Sequence, residues 1–171
     1  MILPDRRDPR LVTIRRGGSL TDADHRLLAL WAADCAEHVL PLFEGAEPTD
    51  LRPRHAVEAA RAWVEGGLPM MASRASGGHA MGAARPLQGA PRFAAYAAGQ
   101  AACVPHVPEH DLGAAAYAIR AVQAAAPRGQ DAAAGIAERD WQRARLPQHL
   151  EGLVLEDQRR RNAICWQVFG D

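Results

Sequence analysis

Apolar residues recur three and four positions apart along most of the chain, and prolines and glycine pairs interrupt the pattern at short intervals. After Thr21, the residues Leu27, Leu28, Trp31, Cys35, Val39 and Leu42 form one such stripe, the mark of an amphipathic helix. Thr21-Asp22-Ala23-Asp24 reads as an N-cap with acids in the first turn, and Pro41 predicts an end or a kink. A second helix follows Asp50 or Leu51, with Pro53 near its first turn and Val57, Ala60, Trp63 and Val64 on its inner face. Arg54, Glu58, Arg61 and Glu65 fall on its outer face at pairing distance, and Gly66-Gly67 stops it.

Residues 68 to 90 carry an apolar face of Met70, Met71, Ala75, Met81 and Leu87, but Gly77-Gly78 and Gly82 predict an interrupted helix. Further helices are expected from Pro91 to about His106, from Pro108 to Pro127, over about 131 to 145 and over about 148 to 168. Leu112, Ala115, Ala116, Ile119 and Val122 mark the inner face of the one after Pro108. The pattern predicts an all-α fold, a compact bundle or short array of about six to seven antiparallel helices. Residues 19–171 form the single helical domain, and residues 1–18, with five arginines, two prolines and a Gly17-Gly18 pair, precede it as a basic extended arm.

Composition narrows the chemistry. About a fifth of the 171 residues are alanine, the best helix former, and its presence on both sides of the middle helices implies close helix approach. All 20 basic residues are arginine, a bias typical of GC-rich bacterial coding. Cys35, Cys103 and Cys165 are odd in number and widely spaced, so they fit buried free thiols in a reducing cytosol better than a disulfide framework or a metal site. Arginines interrupt any N-terminal apolar run, and no segment has the length of a membrane span. The expected location is cytoplasmic, with no membrane partner.

Net charge is zero, so no global field favours nucleic acid. The charge is nevertheless uneven: residues 19–51 carry −6, against +3 for the first 18 and +4 for residues 52–128. Asp34, Glu37, Glu44, Glu47 and Asp50 could therefore present an acidic face to a basic partner. They could equally form a solvated face neutralised by the chain's own arginines. His106 and His110 lie four apart, with Tyr117 and Arg120 continuing the line, and together they are candidates for a small pocket. Pro108 divides the two histidines, so they do not suggest a metal pair, and a catalytic zinc site would need a third ligand. There is no phosphate-binding loop, nucleophile elbow or dinucleotide fingerprint. Neither a catalytic role nor a cofactor is expected.

Four segments in order, LWAADCAEHVLPLFE, DLRPRHAVEAARAWVEG, AYAAGQAACVPHVPEHDLGAAAYAIRA and WQRARLPQHLEGLVLEDQRRRNAICWQVF, resemble the bacterial Imm-5-like family of immunity proteins over about residues 14 to 169. The resemblance implies a small helical protein of a polymorphic toxin system that binds and sterically blocks a cognate protein toxin without enzymatic activity. A helical ligand-binding or regulatory protein, using the His106/His110/Tyr117 junction, is the alternative.

Overall fold

The computed structural model describes residues 3–170, which fold as an all-α bundle of seven helices with no β-strand among them. The helices are α1 (Asp22–Glu44), α2 (Arg52–Val64), α3 (Met70–Ala84), α4 (Gly89–Cys103), α5 (Asp111–Ala125), α6 (Asp131–Arg143) and α7 (Gln148–Arg161). Their caps follow from the sequence. Thr21 Oγ accepts the backbone N–H of Asp24 at 3.1 Å, and Asp22 and Asp24 occupy the positive end of α1. Asp50 does the same for the N–H of Arg52 at the start of α2.

The α4 helix is the centre of the bundle, packed against α1, α2, α3 and α5. Its buried side is almost all small, from Ala94 through Ala102. Small side chains let backbones approach closely, and the approach is tightest where α3 crosses α4. A Cβ on Gly77 would lie 2.6 Å from the Gly99 carbonyl oxygen, and one on Gly99 would lie 2.9 Å from that of Gly77. Ser73 Oγ crosses the same seam to the Ala102 carbonyl at 2.9 Å. The larger core side chains, Leu28, Trp31, Phe43, Leu112 and Ile119, come mainly from α1 and α5.

Three expectations about the helices are corrected. The α3 helix is continuous through Gly77-Gly78 and Gly82, because α4 packing offsets the helix-interior penalty of glycine, about 1 kcal/mol each. The α1 helix continues three residues past Pro41. Pro41 and Glu37, whose carbonyl loses its intrahelical partner, both lie on the exposed side where water can satisfy it. The last helix ends at Arg161 rather than about residue 168, because Asn162 turns the chain: its side chain accepts the N–H of Phe169 at 2.9 Å and donates to Gln167 at 3.1 Å. Trp166 and Gln167 adopt left-handed backbone angles there.

Before α1 the chain makes two 3₁₀ turns, Pro9–Leu11 and Ile14–Arg16, where an extended arm was expected. The segment is folded back on itself by backbone hydrogen bonds from Leu20 to Val12 and from Ile14 to Leu20, at 3.0 and 3.1 Å. Leu11 and Leu20 are buried in the core and anchor it. Gly18 is required at this fold-back, since a Cβ would sit 2.0 Å from the Val12 carbonyl oxygen.

The α7 helix is held differently. It makes no backbone approach comparable to those among α1 to α6, and long side chains span the gap. Arg161, 1% exposed, donates to Asp157 at 2.8 Å and to the Glu109 carbonyl at 2.8 Å, with Asp111 3.9 Å away. Arg143 donates to Gln158 at 3.0 Å, and Arg10 pairs with Glu156 at 2.9 Å.

Candidate functional site

The acidic segment is met by the arginines of the helix beside it. Arg61 of α2 lies between two α1 carboxylates, 2.8 Å from Asp34 and 2.5 Å from Glu37. Arg54 pairs with Glu44 and Arg52 with Asp50, each at 2.5 Å. Arg15 takes Asp22, and His149 takes Asp24 at 2.8 Å. Of the five acids singled out in the sequence, Glu47 alone has no ion pair among the described residues. Pairs this exposed add little to stability, but they cancel most of the local field. The face is a mosaic of both signs.

Next to Asp34 and Glu37, that mosaic meets an aromatic group that the sequence did not bring together. The His38 ring stacks on Trp141 of α6 at 3.7 Å with 4° between planes, and the Arg145 guanidinium lies 3.6 Å from the Trp141 ring. Two planar groups cannot share one face at those distances, so the indole is sandwiched. The stack is rooted in the core. His38 Nδ1 is 2.8 Å from Oε2 of buried Glu138, whose Oε1 accepts from Gln142 at 2.8 Å. Gln142 also donates to the Ala115 carbonyl at 3.2 Å, and its own carbonyl accepts Trp31 Nε1 at 2.9 Å. The side chains of Asp34, Glu37, His38, Trp141 and Arg145 line one shallow depression.

The four residues proposed to share a pocket do not converge on one. His106 follows the C-terminus of α4 and lines a cavity on the side of the N-terminal segment. His110 is not among the residues that line this cavity, although its imidazole feels the charge of His106; its Nδ1 is 2.7 Å from Oε1 of Gln100, so that nitrogen donates to the amide oxygen. Tyr117 and Arg120 belong to an aromatic cluster with Phe93 and Trp166. Tyr117 packs 5.0 Å from Trp166, and Arg120 lies over Phe93 at 5.1 Å and Trp166 at 5.8 Å. The three cysteines are buried and unbridged, and burial raises all three thiols, Cys165 to about 11. Among the described residues, no three His, Cys, Asp or Glu side chains gather as a metal ligand set.

His110 and Asp111 carry opposite pH linkages side by side. Burial pushes the His110 imidazole down to about 4, with the charge of Arg161 adding to it. Burial and the nearby Asp157 push the Asp111 carboxyl up to about 7, partly offset by Arg161. In the unfolded chain the histidine gains its proton near 6.5 and the aspartate near 3.8. Acidification from 7 to 4 therefore removes stability through His110, because the unfolded chain binds the proton first. Over the same range it adds stability through Asp111, because the folded chain does. His25 and His106, both shifted down by burial, act in the same direction as His110. Asp111→Asn should make the fall in stability between pH 7 and 4 steeper than in the parent protein, and His110→Gln should make it shallower. Urea unfolding at three pH values reads both; parallel curves would contradict the assignment.

The pattern that these elements share with other proteins is found over most of the chain. The family model described as Imm-5 like putative immunity protein matches residues 18–149. The chain belongs to that family. The match covers α1 to α6 of the Imm-5-like fold and ends at the start of α7, somewhat short of the resemblance read from the sequence at both ends. No curated protein and no solved structure matches the chain. No helix among the described residues is long and apolar enough to cross a membrane.

Proposed function

We propose that this Imm-5-like protein protects its cell by binding a cognate protein toxin in the cytoplasm and blocking it sterically, without chemistry of its own. The contact is centred on the face of Asp34, Glu37, His38, Trp141 and Arg145. Family membership supports the toxin as partner, and the sandwiched Trp141 is the observation that carries the choice of face. Tryptophan and arginine dominate binding energy at protein interfaces, and here Trp141 is stacked between Arg145 and His38, the latter anchored by the buried Glu138. A preorganised aromatic side chain loses little further freedom on binding. Asp34 and Glu37 beside it, with Arg61 between them, supply polar contacts of both signs. The remaining acids, Glu44, Glu47 and Asp50, lie along the same α1–α2 edge and contribute at the rim.

The test is Trp141→Ala against the toxin encoded beside this gene. Affinity should fall by about 30-fold or more, the scale of a 2 kcal/mol hot spot, and protection on co-expression should fall with it, while Glu47→Gln stays near the parent. Undiminished binding by Trp141→Ala would move the contact elsewhere. Absence of binding by the unaltered protein, with no protection, would end the immunity reading.

A further inference from the structure

The folded N-terminal segment and the bundle enclose a cavity of about 400 Å³, within the size range of small-ligand sites. Its lining is strongly unbalanced in charge. Arg7, Arg15, Arg16 and Arg26 all face it, and Asp22 is the one carboxylate among its lining residues. Two of these guanidinium groups are already neutralised, Arg7 by the fully buried Glu109 at 2.5 Å and Arg15 by Asp22 at 2.5 Å. Neither Arg16 nor Arg26 has an ion pair or side-chain hydrogen bond among the described residues.

Two positive charges thus remain uncompensated in one concave site. Both side chains are solvent-exposed, and an anion seated between them would gain from two positive charges at once.

The neutral part of the lining also points to a ligand. His106 borders the cavity as a partly exposed residue, although its Nδ1 is shut off from solvent and has no hydrogen-bond partner. Burial, with the charges of Arg74, Arg16 and Arg7 adding to it, pushes that imidazole below its ordinary value, so it adds little to the positive charge of the lining. Trp63, packed 4.8 Å from His25, and Met70 form the apolar wall, leaving room for an organic group beside the anion.

We propose that this cavity binds a small phosphomonoester, with the phosphate on Arg16 and Arg26 and the organic portion against Trp63. The surplus of two charges matches a phosphomonoester near its dianionic state, and arginine forks suit the geometry of phosphate oxygens. A single carboxylate would leave one guanidinium unmatched. The site is separate from the Trp141 face, so it adds a small-molecule ligand to a protein whose proposed partner is another protein.

The experiment is isothermal titration of the full chain at fixed ionic strength with two probes, inorganic phosphate and adenosine 5′-monophosphate. The expected result is one site per chain, tighter for the nucleotide than for phosphate. Arg16→Ala with Arg26→Ala should weaken it by about tenfold or more, without loss of thermal stability in the absence of ligand. Arg128→Ala, which alters an arginine outside the cavity, and Trp141→Ala should bind both probes as the parent does. No binding of either probe at millimolar concentration would overturn the proposal. So would an Arg128→Ala loss equal to that of the double variant, which would mean unspecific charge attraction.

Discussion

Arg161→Ala is expected to lower the unfolding free energy by about 3–5 kcal/mol, the usual result of removing one partner from a buried ion pair. For a chain of this size that corresponds to a drop of roughly 10 °C in melting temperature. The cause is what the substitution leaves behind. Asp157 and Asp111 are 3% and 1% exposed, and both would lose their buried counter-charge, while the Glu109 carbonyl would lose its donor at 2.8 Å. Asp111, already pushed up to about 7, would move higher still once the lowering influence of Arg161 is gone. Arg160 provides the internal comparison. It also pairs with Asp157 but is exposed, so Arg160→Ala should cost at most about 1 kcal/mol. Equal losses in the two variants, by thermal and urea unfolding, would show that burial of Arg161 is not what matters. Replacing Arg161, Asp157 and Asp111 together by apolar residues of similar volume should recover much of the loss.

The second large effect changes sign between adjacent residues. Gly77→Ala should destabilise by about 1–3 kcal/mol, the range for overpacking a closed core, and Gly77→Val by more. The new Cβ would meet the Gly99 carbonyl oxygen at 2.6 Å and Cys103 Sγ at 2.9 Å, and a backbone carbonyl cannot swing aside as a side-chain end can. Gly78, one position on, is exposed, and a Cβ there meets nothing within 4 Å. Gly78→Ala should therefore stabilise α3 by about 0.5–1 kcal/mol. Thermal unfolding of the two single variants decides the point. If both move in the same direction, the α3–α4 crossing is not as close as described.

This pair of glycines also shows where the sequence stops being readable. Helix stripes and caps depend on neighbours within four residues, so α1, α2 and the all-α class were legible from Thr21, Leu28, Trp31, Pro53 and the spacing around them. Gly77 reads as a breaker because its local cost is visible and its compensation is not: the compensating partner, Gly99, lies on another helix. The same holds for the end of α7. Asn162 is an ordinary polar residue in sequence, and only its reach to Phe169 turns it into a stop.

The candidate site follows the same rule. Acidic residues Asp34 and Glu37 could be picked out as a charge cluster, but Arg61, which joins them, lies on the next helix. His38 and Trp141 are separated by most of the bundle's length in sequence, and nothing local pairs them. The available signal was weaker: Trp141 is a large aromatic residue in the polar run Glu138-Arg139-Asp140-Trp141-Gln142-Arg143, where a buried position was not implied by its neighbours. His106, His110, Tyr117 and Arg120 showed the opposite failure. Their spacing suggested one line, but the break at Val107–Pro108 sends them to three different surroundings.

The Trp141 sandwich has a practical optical consequence. An indole pressed between an imidazole and a guanidinium has its emission set by those two neighbours, and any molecule that displaces either one changes the signal. Trp31, 2% exposed and hydrogen-bonded to the Gln142 carbonyl, sits behind the same surface and keeps its surroundings. The chain has four tryptophans, so a variant with Trp63 and Trp166 replaced would make the face its own fluorescent gauge of occupancy, with Trp141 responding and Trp31 as the background.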